Sequence, residues 1–342
     1  MSAVERIAIR LPNPVGDVVA ATALLRALHA ARPEATLVAL GSAAAAELLA
    51  GTPELEQVAV LDRKLGVRGE AAALRALAAG TVVLMPNSWS SALAARGAGI
   101  ARRIGRRGRG RGLLLTDSLP PPGGPRPMPE FYAELLAPFC GDGVVPAVAL
   151  TVTAEERARA DARIERSGLP GSARLLAVAP GAAFGPTKIY PHDRMVAVLR
   201  WLRDQDDLVP VLLGSPAEMA ALQELAAAVG PPLLFEPANP VGMGEMKALL
   251  LRCRALLSMD TGARAIAAAL GVPQVVIYGP TDPRWSGFAR ELTTSVLRRD
   301  VSCMPCHLKR CPIDHRCMTG LAPSQVVDAV LQAVRAPRSA GP

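Results

Sequence analysis

Apolar and polar positions follow two alternating rhythms along the chain. Short, apolar, β-rich runs occupy residues 6–10, 36–40, 57–61 and 81–85, and between them Leu and Ala recur every three or four residues, as at 20–31 and 70–79. The first rhythm predicts strands covered on both faces, and the second predicts helices. The second half repeats the plan, with strands at 175–179, 209–213, 255–258 and 274–278 and helices near 193–204, 218–229, 245–252 and 263–270. Such alternation implies an α/β protein of two doubly wound, parallel-sheet, Rossmann-like domains facing a central cleft, with ligands at the C-terminal ends of strands. A charged helical stretch at 155–166 marks the division, giving domains 1–165 and 166–342. A last helix at 324–334 follows Pro323, and the tail beyond Ala336 reads as unstructured. The run PPPGGPRPMP at 120–129 is extended, either a surface connector or a flap over a bound substrate.

Composition narrows this picture. With 342 residues, half of them AVILMFWYC, the chain can bury two sizeable cores. The 38 Lys and Arg outnumber 30 Asp and Glu, for a net charge of +8, which suits anionic ligands or membrane faces. Aromatic residues, at 3%, are too sparse for a base-stacking surface, so nucleic acid is not an expected partner. The most apolar stretch, 265–281, is interrupted by Gly271, Pro273, Gly279 and Pro280 and is not a membrane span. Glu5, Arg6, Arg10 and Pro12 break any signal-peptide core, so a cytoplasmic location is expected. There, thiols stay reduced, and six Cys do not imply disulfides.

Five segments carry candidate chemistry. Leu11-Pro-Asn-Pro-Val-Gly-Asp17 joins the first strand to its helix, and Asp17 either caps that helix or takes a proton from a substrate hydroxyl. Pro180-Gly-Ala-Ala-Phe-Gly-Pro-Thr-Lys188 is a small-residue loop ending in Thr187 and Lys188; its backbone N–H groups and the lysine charge suit an anion. In Ser258-Met-Asp-Thr-Gly-Ala-Arg264, Thr261 and Gly262 stand at a helix N-terminus suited to a diphosphate, and Asp260 either caps the helix or binds sugar hydroxyls. Tyr278-Gly-Pro-Thr-Asp-Pro283 is a further loop at a strand end. The arginines at 102, 103, 106, 107, 109 and 111, with no acidic residue among them, form either a solvated face or a polyanion site. Cys303, Cys306, Cys311 and Cys317 lie within the segment 303–317 and are either free thiols or the ligands of a structural Zn or Fe.

Several long motifs, in order, carry a resemblance over nearly the whole chain: RLPNPVGDVVAATALLRAL, MPNSWSSALAARGAGIARRIGRRGRGRGLLLTD, PMPEFY, APGAAFGPTKIYP, LLGSPAE, LSMDTGARAIAAALGVPQVVIYGPTDPRW and CMPCHLKRCPIDHRCM. They resemble the ADP-heptose:lipopolysaccharide heptosyltransferases of glycosyltransferase family 9, in the heptosyltransferase II branch. The resemblance implies a GT-B fold and an inverting transfer of heptose from ADP-L-glycero-β-D-manno-heptose. The acceptor it implies is the heptosyl-Kdo–lipid A inner core, reached at the cytoplasmic face of the inner membrane with weak peripheral contact. It makes Asp17 the catalytic base, puts Thr187, Lys188, Asp260, Thr261 and Gly262 on the donor, and leaves Asn13, Arg102, Arg103 and Arg106 for the acceptor. No cofactor is required for that chemistry. Two positions depart from the family pattern. Ala265 stands where the sixth residue of the Asp-Thr-Gly motif is usually His, and Gly244 replaces a Thr or Ser helix cap. The first departure keeps two other readings open: the same fold acting on another glycan or protein acceptor, and an ADP-sugar or anionic-glycan binding paralogue with weakened catalysis.

Overall fold

A computed structural model describes residues 4–141, 145–287 and 294–336; the tail beyond Ala336 lies outside the described residues. The chain divides into two units, 1–151 and 152–342.

In the N-terminal unit, β1 (Arg6–Arg10), β2 (Thr36–Gly41), β3 (Gln57–Val60), β4 (Thr81–Leu84), β5 (Arg102–Arg106) and β6 (Asp117–Leu119) form one parallel sheet in the order β3-β2-β1-β4-β5-β6. Helices α1 (Val15–Ala31), α2 (Ala43–Leu48), α3 (Gly66–Ala76), α4 (Trp89–Gly97), α5 (Met128–Ala133) and α6 (Ala137–Cys140) complete it. The central strand shows why such a sheet forms. Ile7, Ala8 and Ile9 are all buried, and Ile9 pairs with Ala39 on one side and Val83 on the other, so both faces need apolar side chains. The order reverses direction between β1 and β4, and the loop after β1 opens at that switch point, the usual place for a ligand.

In the C-terminal unit, β7 (Arg174–Ala179), β8 (Leu208–Leu212), β9 (Ala255–Met259), β10 (Gln274–Tyr278) and β11 (Thr294–Arg298) form a second parallel sheet, β11-β10-β9-β7-β8. Its helices are α7 (Ala154–Arg166), α8 (His192–Asp206), α9 (Met219–Val229), α10 (Met243–Arg252), α11 (Gly262–Ala269), α12 (Pro283–Ser286), α13 (Arg316–Thr319) and α14 (Pro323–Arg335). Here the switch lies between β7 and β9, which brings together the loops that follow those two strands.

Three expectations are corrected. The domain boundary falls at 151/152 rather than 165/166, because α7 is bonded to α10 in the C-terminal unit. The buried Arg163 donates to both Glu245 carboxylate oxygens, at 2.6 and 3.0 Å, and the buried Lys247 pairs with Glu156 at 3.0 Å. Charges taken out of water need such partners. Gly244 is not a helix cap. Gly242 holds the N-cap position, and Gly244 lies inside α10, where an added Cβ would come within 2.5 Å of Glu156 Oε1. A side chain there would crowd the carboxylate that serves Lys247. The arginine run is not one solvated face either, since only Arg107 and Arg109 are exposed. Arg102–Arg106 is strand β5, and its arginines are drawn inward.

Candidate active site

In the N-terminal unit, Asp17 lies in the first turn of α1 but does not cap it; Pro14 is the N-cap, and the Asp17 N–H donates to the Pro14 carbonyl at 3.0 Å. The free side chain instead accepts a hydrogen bond from the Tyr132 hydroxyl of α5. Burial pushes the Asp17 carboxyl up to about 6, against the opposing pull of the Tyr132 bond. Burial, then the neighbouring carboxylate, pushes the Tyr132 phenol well above its ordinary range, so it remains a proton donor. A carboxylate titrating near 6 at a strand-to-helix turn is poised to accept a proton close to neutral pH. Asn13 is exposed in the loop just before it.

The three arginines expected at an acceptor each have partners in their own chain. Arg106, 3% exposed, donates to the carbonyls of Pro120 and Phe131 at 2.9 and 2.6 Å, pairs with Glu134, and stacks 4.2 Å from the Phe131 ring. It thereby anchors α5, and with it Tyr132. Glu134 also pairs with Arg126, so the 120–127 segment is held to the fold at both ends. Arg102 binds Asp117 at 3.0 Å and lies 5.0 Å from the Phe139 ring. Arg103 donates to the Ile100 and Leu114 carbonyls at 2.6 and 2.8 Å.

In the C-terminal unit, the loops after β7 and β9 meet on one carboxylate. Lys188 Nζ donates to Asp260 Oδ2 at 2.5 Å and to its carbonyl at 3.0 Å. Arg264 Nε approaches Asp260 Oδ1 at 3.3 Å, and the Thr281 hydroxyl donates to Oδ2 at 2.7 Å. Burial alone would raise the Asp260 carboxyl; the Lys188 and Arg264 charges, with the bonds from Lys188 and Thr281, outweigh it and hold the group below the usual carboxylate range. Two of the three ammonium protons of Lys188 are therefore engaged, and the ammonium also lies 5.2 Å from the centre of the Phe184 ring. Asp260 neither caps α11 nor stands open to a sugar. Thr261 is the N-cap of α11 but makes no side-chain cap bond, and its buried hydroxyl has no hydrogen-bond partner among the described residues. Gly262 and the next two residues present first-turn N–H groups without intrahelical acceptors. An orphan hydroxyl, a helix N-terminus and a lysine together have the chemistry to hold an anion.

Thr187 departs from expectation. Its hydroxyl donates to the Leu308 carbonyl at 2.6 Å, and its carbonyl meets His315 Nε2 at 2.8 Å, so it fastens the β7 loop to the cysteine segment rather than facing a donor. Gly185 shares that fastening: at φ +144°, an added Cβ would come within 2.9 Å of the Lys309 carbonyl. Cys303, Cys306, Cys311 and Cys317 are all free thiols and line one cavity of about 20 Å³, room for a single water-sized atom. Burial and the other three cysteines push the Cys317 thiol up. Among the described residues no three His, Cys, Asp or Glu side chains stand in a metal-ligating arrangement. The four thiols line one small void without standing in the arrangement of a tetrahedral thiolate site.

Sequence reasoning missed Tyr132, Thr281 and the direction of Arg264. Tyr132 had a signal, a single hydroxyl in the otherwise apolar stretch Phe131–Leu136 apart from Glu134, but nothing pointed it at Asp17. Thr281 lay in a loop already singled out, at the C-terminal end of β10.

Residues 69–316, more than half of the chain, match glycosyltransferase family 9 (heptosyltransferase), and the chain belongs to that family. It is 29% identical over 294 residues to lipopolysaccharide heptosyltransferase 2 of Escherichia coli K12, covering 80% of this chain and 82% of that one. The solved structure of E. coli ADP-heptose LPS heptosyltransferase II superposes with a TM-score of 0.81 at 25% identity, covering 96% of this chain and 98% of that one. A glycosyl transferase family 9 protein from Veillonella parvula superposes with a TM-score of 0.85 at 18% identity, over 97% of both chains. These likenesses show the GT-B fold, built here from the two parallel-sheet units. No helix among the described residues is long and apolar enough to cross a membrane.

Proposed function

We propose that this glycosyltransferase transfers heptose with inversion from ADP-L-glycero-β-D-manno-heptose to the heptosyl-Kdo–lipid A inner core of lipopolysaccharide. The observation that carries the reading is the cradle around Asp260: Lys188 at 2.5 Å, beside an uncapped helix end with an orphan Thr261 hydroxyl. An inverting displacement needs a base on the acceptor hydroxyl and a stabilised leaving group on the opposite face of the anomeric carbon. Asp17 takes the acceptor proton, with Tyr132 holding its carboxylate in place. As the glycosidic bond breaks, the negative charge that builds on the ADP β-phosphate falls to the third proton of Lys188 and the amides at Gly262. Those groups are fixed beforehand, so the chemistry needs no cofactor. Arg264, tied to Asp260, keeps a cation where Ala265 removes the imidazole usual in the family.

The test is a donor screen, read by mass spectrometry, with truncated Kdo–lipid A acceptors. Heptose added from the ADP-linked donor to the heptosyl-bearing acceptor is the expected product. Turnover confined to another acceptor, or binding of the ADP-sugar without turnover, would replace this reading by one of the two alternatives raised by Ala265.

Lipid A anchors the acceptor, so the enzyme is expected to work at the cytoplasmic face of the inner membrane. Cys303, Cys306, Cys311 and Cys317 are proposed to hold one structural Zn or Fe ion, which would cross-link the segment that grips Thr187. Elemental analysis of protein purified without added metal should find about one equivalent per chain. Replacing Cys303 and Cys306 with Ser should abolish it, whereas metal-free native protein would leave four free thiols.

A further inference from the structure

Trp89 and Leu93 lie one turn apart on α4, each 48% exposed, and Leu113, in the turn Arg111–Leu114, is 83% exposed. Single exposed apolar side chains are ordinary, whereas a tryptophan grouped with two leucines asks for a partner. The grouping is built rather than incidental. Trp89 Nε1 donates to the Arg109 carbonyl at 3.0 Å, and its ring lies against Gly110, where an added Cβ would come within 3.2 Å of it. The buried Arg111 donates to the Ser88 and Pro86 carbonyls, both at 2.9 Å, pinning the turn to the start of α4. Arg96, Arg107 and Arg109 are exposed on the same two segments. No Asp or Glu occurs between Glu70 and Asp117, so no acidic side chain from this stretch offsets them.

We propose that this face of the N-terminal unit docks on an anionic lipid bilayer, with Trp89, Leu93 and Leu113 entering the interfacial layer and Arg96, Arg107 and Arg109 meeting lipid phosphates. Tryptophan and leucine flanked by arginine is the composition that settles at a membrane interface, with the apolar parts in the headgroup boundary and the charges above it. Charge decides the occupant. A second copy of this chain would bring its own arginines against these, whereas an anionic leaflet supplies complementary charge over the whole patch. The four arginines that the fold turns inward are not part of the patch, which separates it from the inward-facing half of the same basic run.

The inference concerns a lipid surface and is tested without lipid A or turnover, so it stands or fails apart from heptose transfer. The assay is co-sedimentation with vesicles of phosphatidylcholine alone or with added phosphatidylglycerol, together with quenching of Trp89 by brominated acyl chains in a Trp201→Phe/Trp285→Phe background. Binding is expected to require phosphatidylglycerol, to weaken in high salt, and to quench Trp89. Affinity should fall about tenfold or more in Arg107→Glu/Arg109→Glu and in Leu93→Ser/Leu113→Ser, with the thermal midpoint of both variants unchanged. The proposal is overturned if the native protein ignores anionic vesicles, if both variants bind as well as the native protein, or if binding leaves Trp89 unquenched. It is equally overturned if the patch proves to join two copies, seen as lipid-independent self-association that Leu113→Ser abolishes.

Discussion

Asp17→Asn should lower kcat for heptose transfer by about 10²–10⁴-fold, the range general-base catalysis usually contributes, with little change in donor KM. Its pH dependence gives the sharper signature. Because the native carboxyl titrates at about 6, kcat/KM should be low in acid, rise through that pH and level off above it. Tyr132→Phe deletes the hydrogen bond that pulls the Asp17 value down, so the rising limb should move to higher pH while activity at alkaline pH is largely retained. A tyrosine that only filled space would leave the profile in place. Stability should change in the opposite sense to activity. A carboxyl raised from 3.8 to about 6 on folding favours the native state below 3.8 and loses that contribution as pH rises through 6. The permanently neutral Asn variant should therefore be more stable than the native protein by on the order of 3 kcal/mol at pH 8, with the gain vanishing in acid. Denaturant titration at the two pH values checks this. An Asn variant with native turnover would remove Asp17 from the chemistry.

Lys188→Met is expected to cut kcat/KM for the donor by about 10²–10³-fold, since it deletes a fixed charge aimed at the leaving diphosphate. The acceptor KM should stay near its native value. Part of any loss comes through the fold, because Asp260 would keep only Arg264 and Thr281. Breaking a buried ion pair usually costs 3–5 kcal/mol, and roughly 2 kcal/mol is expected with those partners still in place. Adding Asp260→Asn separates the two effects. The double variant should recover stability, as removal of both members of a buried pair often does, but not turnover. Recovered turnover would mean that Lys188 merely neutralises Asp260.

Eight strands follow directly from apolar runs, since a strand covered on both faces must be apolar throughout. Strand β5 was hidden because it is written RRIGR. Arg102, Arg103 and Arg106 read as solvated charge until Asp117, Glu134 and the carbonyls of Ile100, Leu114, Pro120 and Phe131 are in view. Those partners lie as many as 28 residues away, beyond the reach of any local pattern. The same distance explains the site. Asp17, Lys188, Asp260, Thr261 and Gly262 stand at strand ends with glycine or a helix start beside them, a signature legible in the chain itself. Tyr132 reaches Asp17 from α5, and Thr281 reaches Asp260 from the β10 loop, 21 residues on. Their parts depend on strand order, which periodicity does not encode. Thr187 shows the converse: a residue of the expected type, at the expected place, whose hydroxyl faces Leu308 instead.

That contact between Thr187 and the cysteine segment has an entropic consequence. A glycine-containing loop left free in solution must surrender its backbone freedom when a nucleotide arrives, at about 1–2 kcal/mol per residue ordered. Here Leu308, Lys309 and His315 act as a splint, so the loop ending in Lys188 is frozen when the chain folds. Under the proposed function, nucleotide affinity is thereby relieved of an ordering penalty that a limp loop would impose at every encounter.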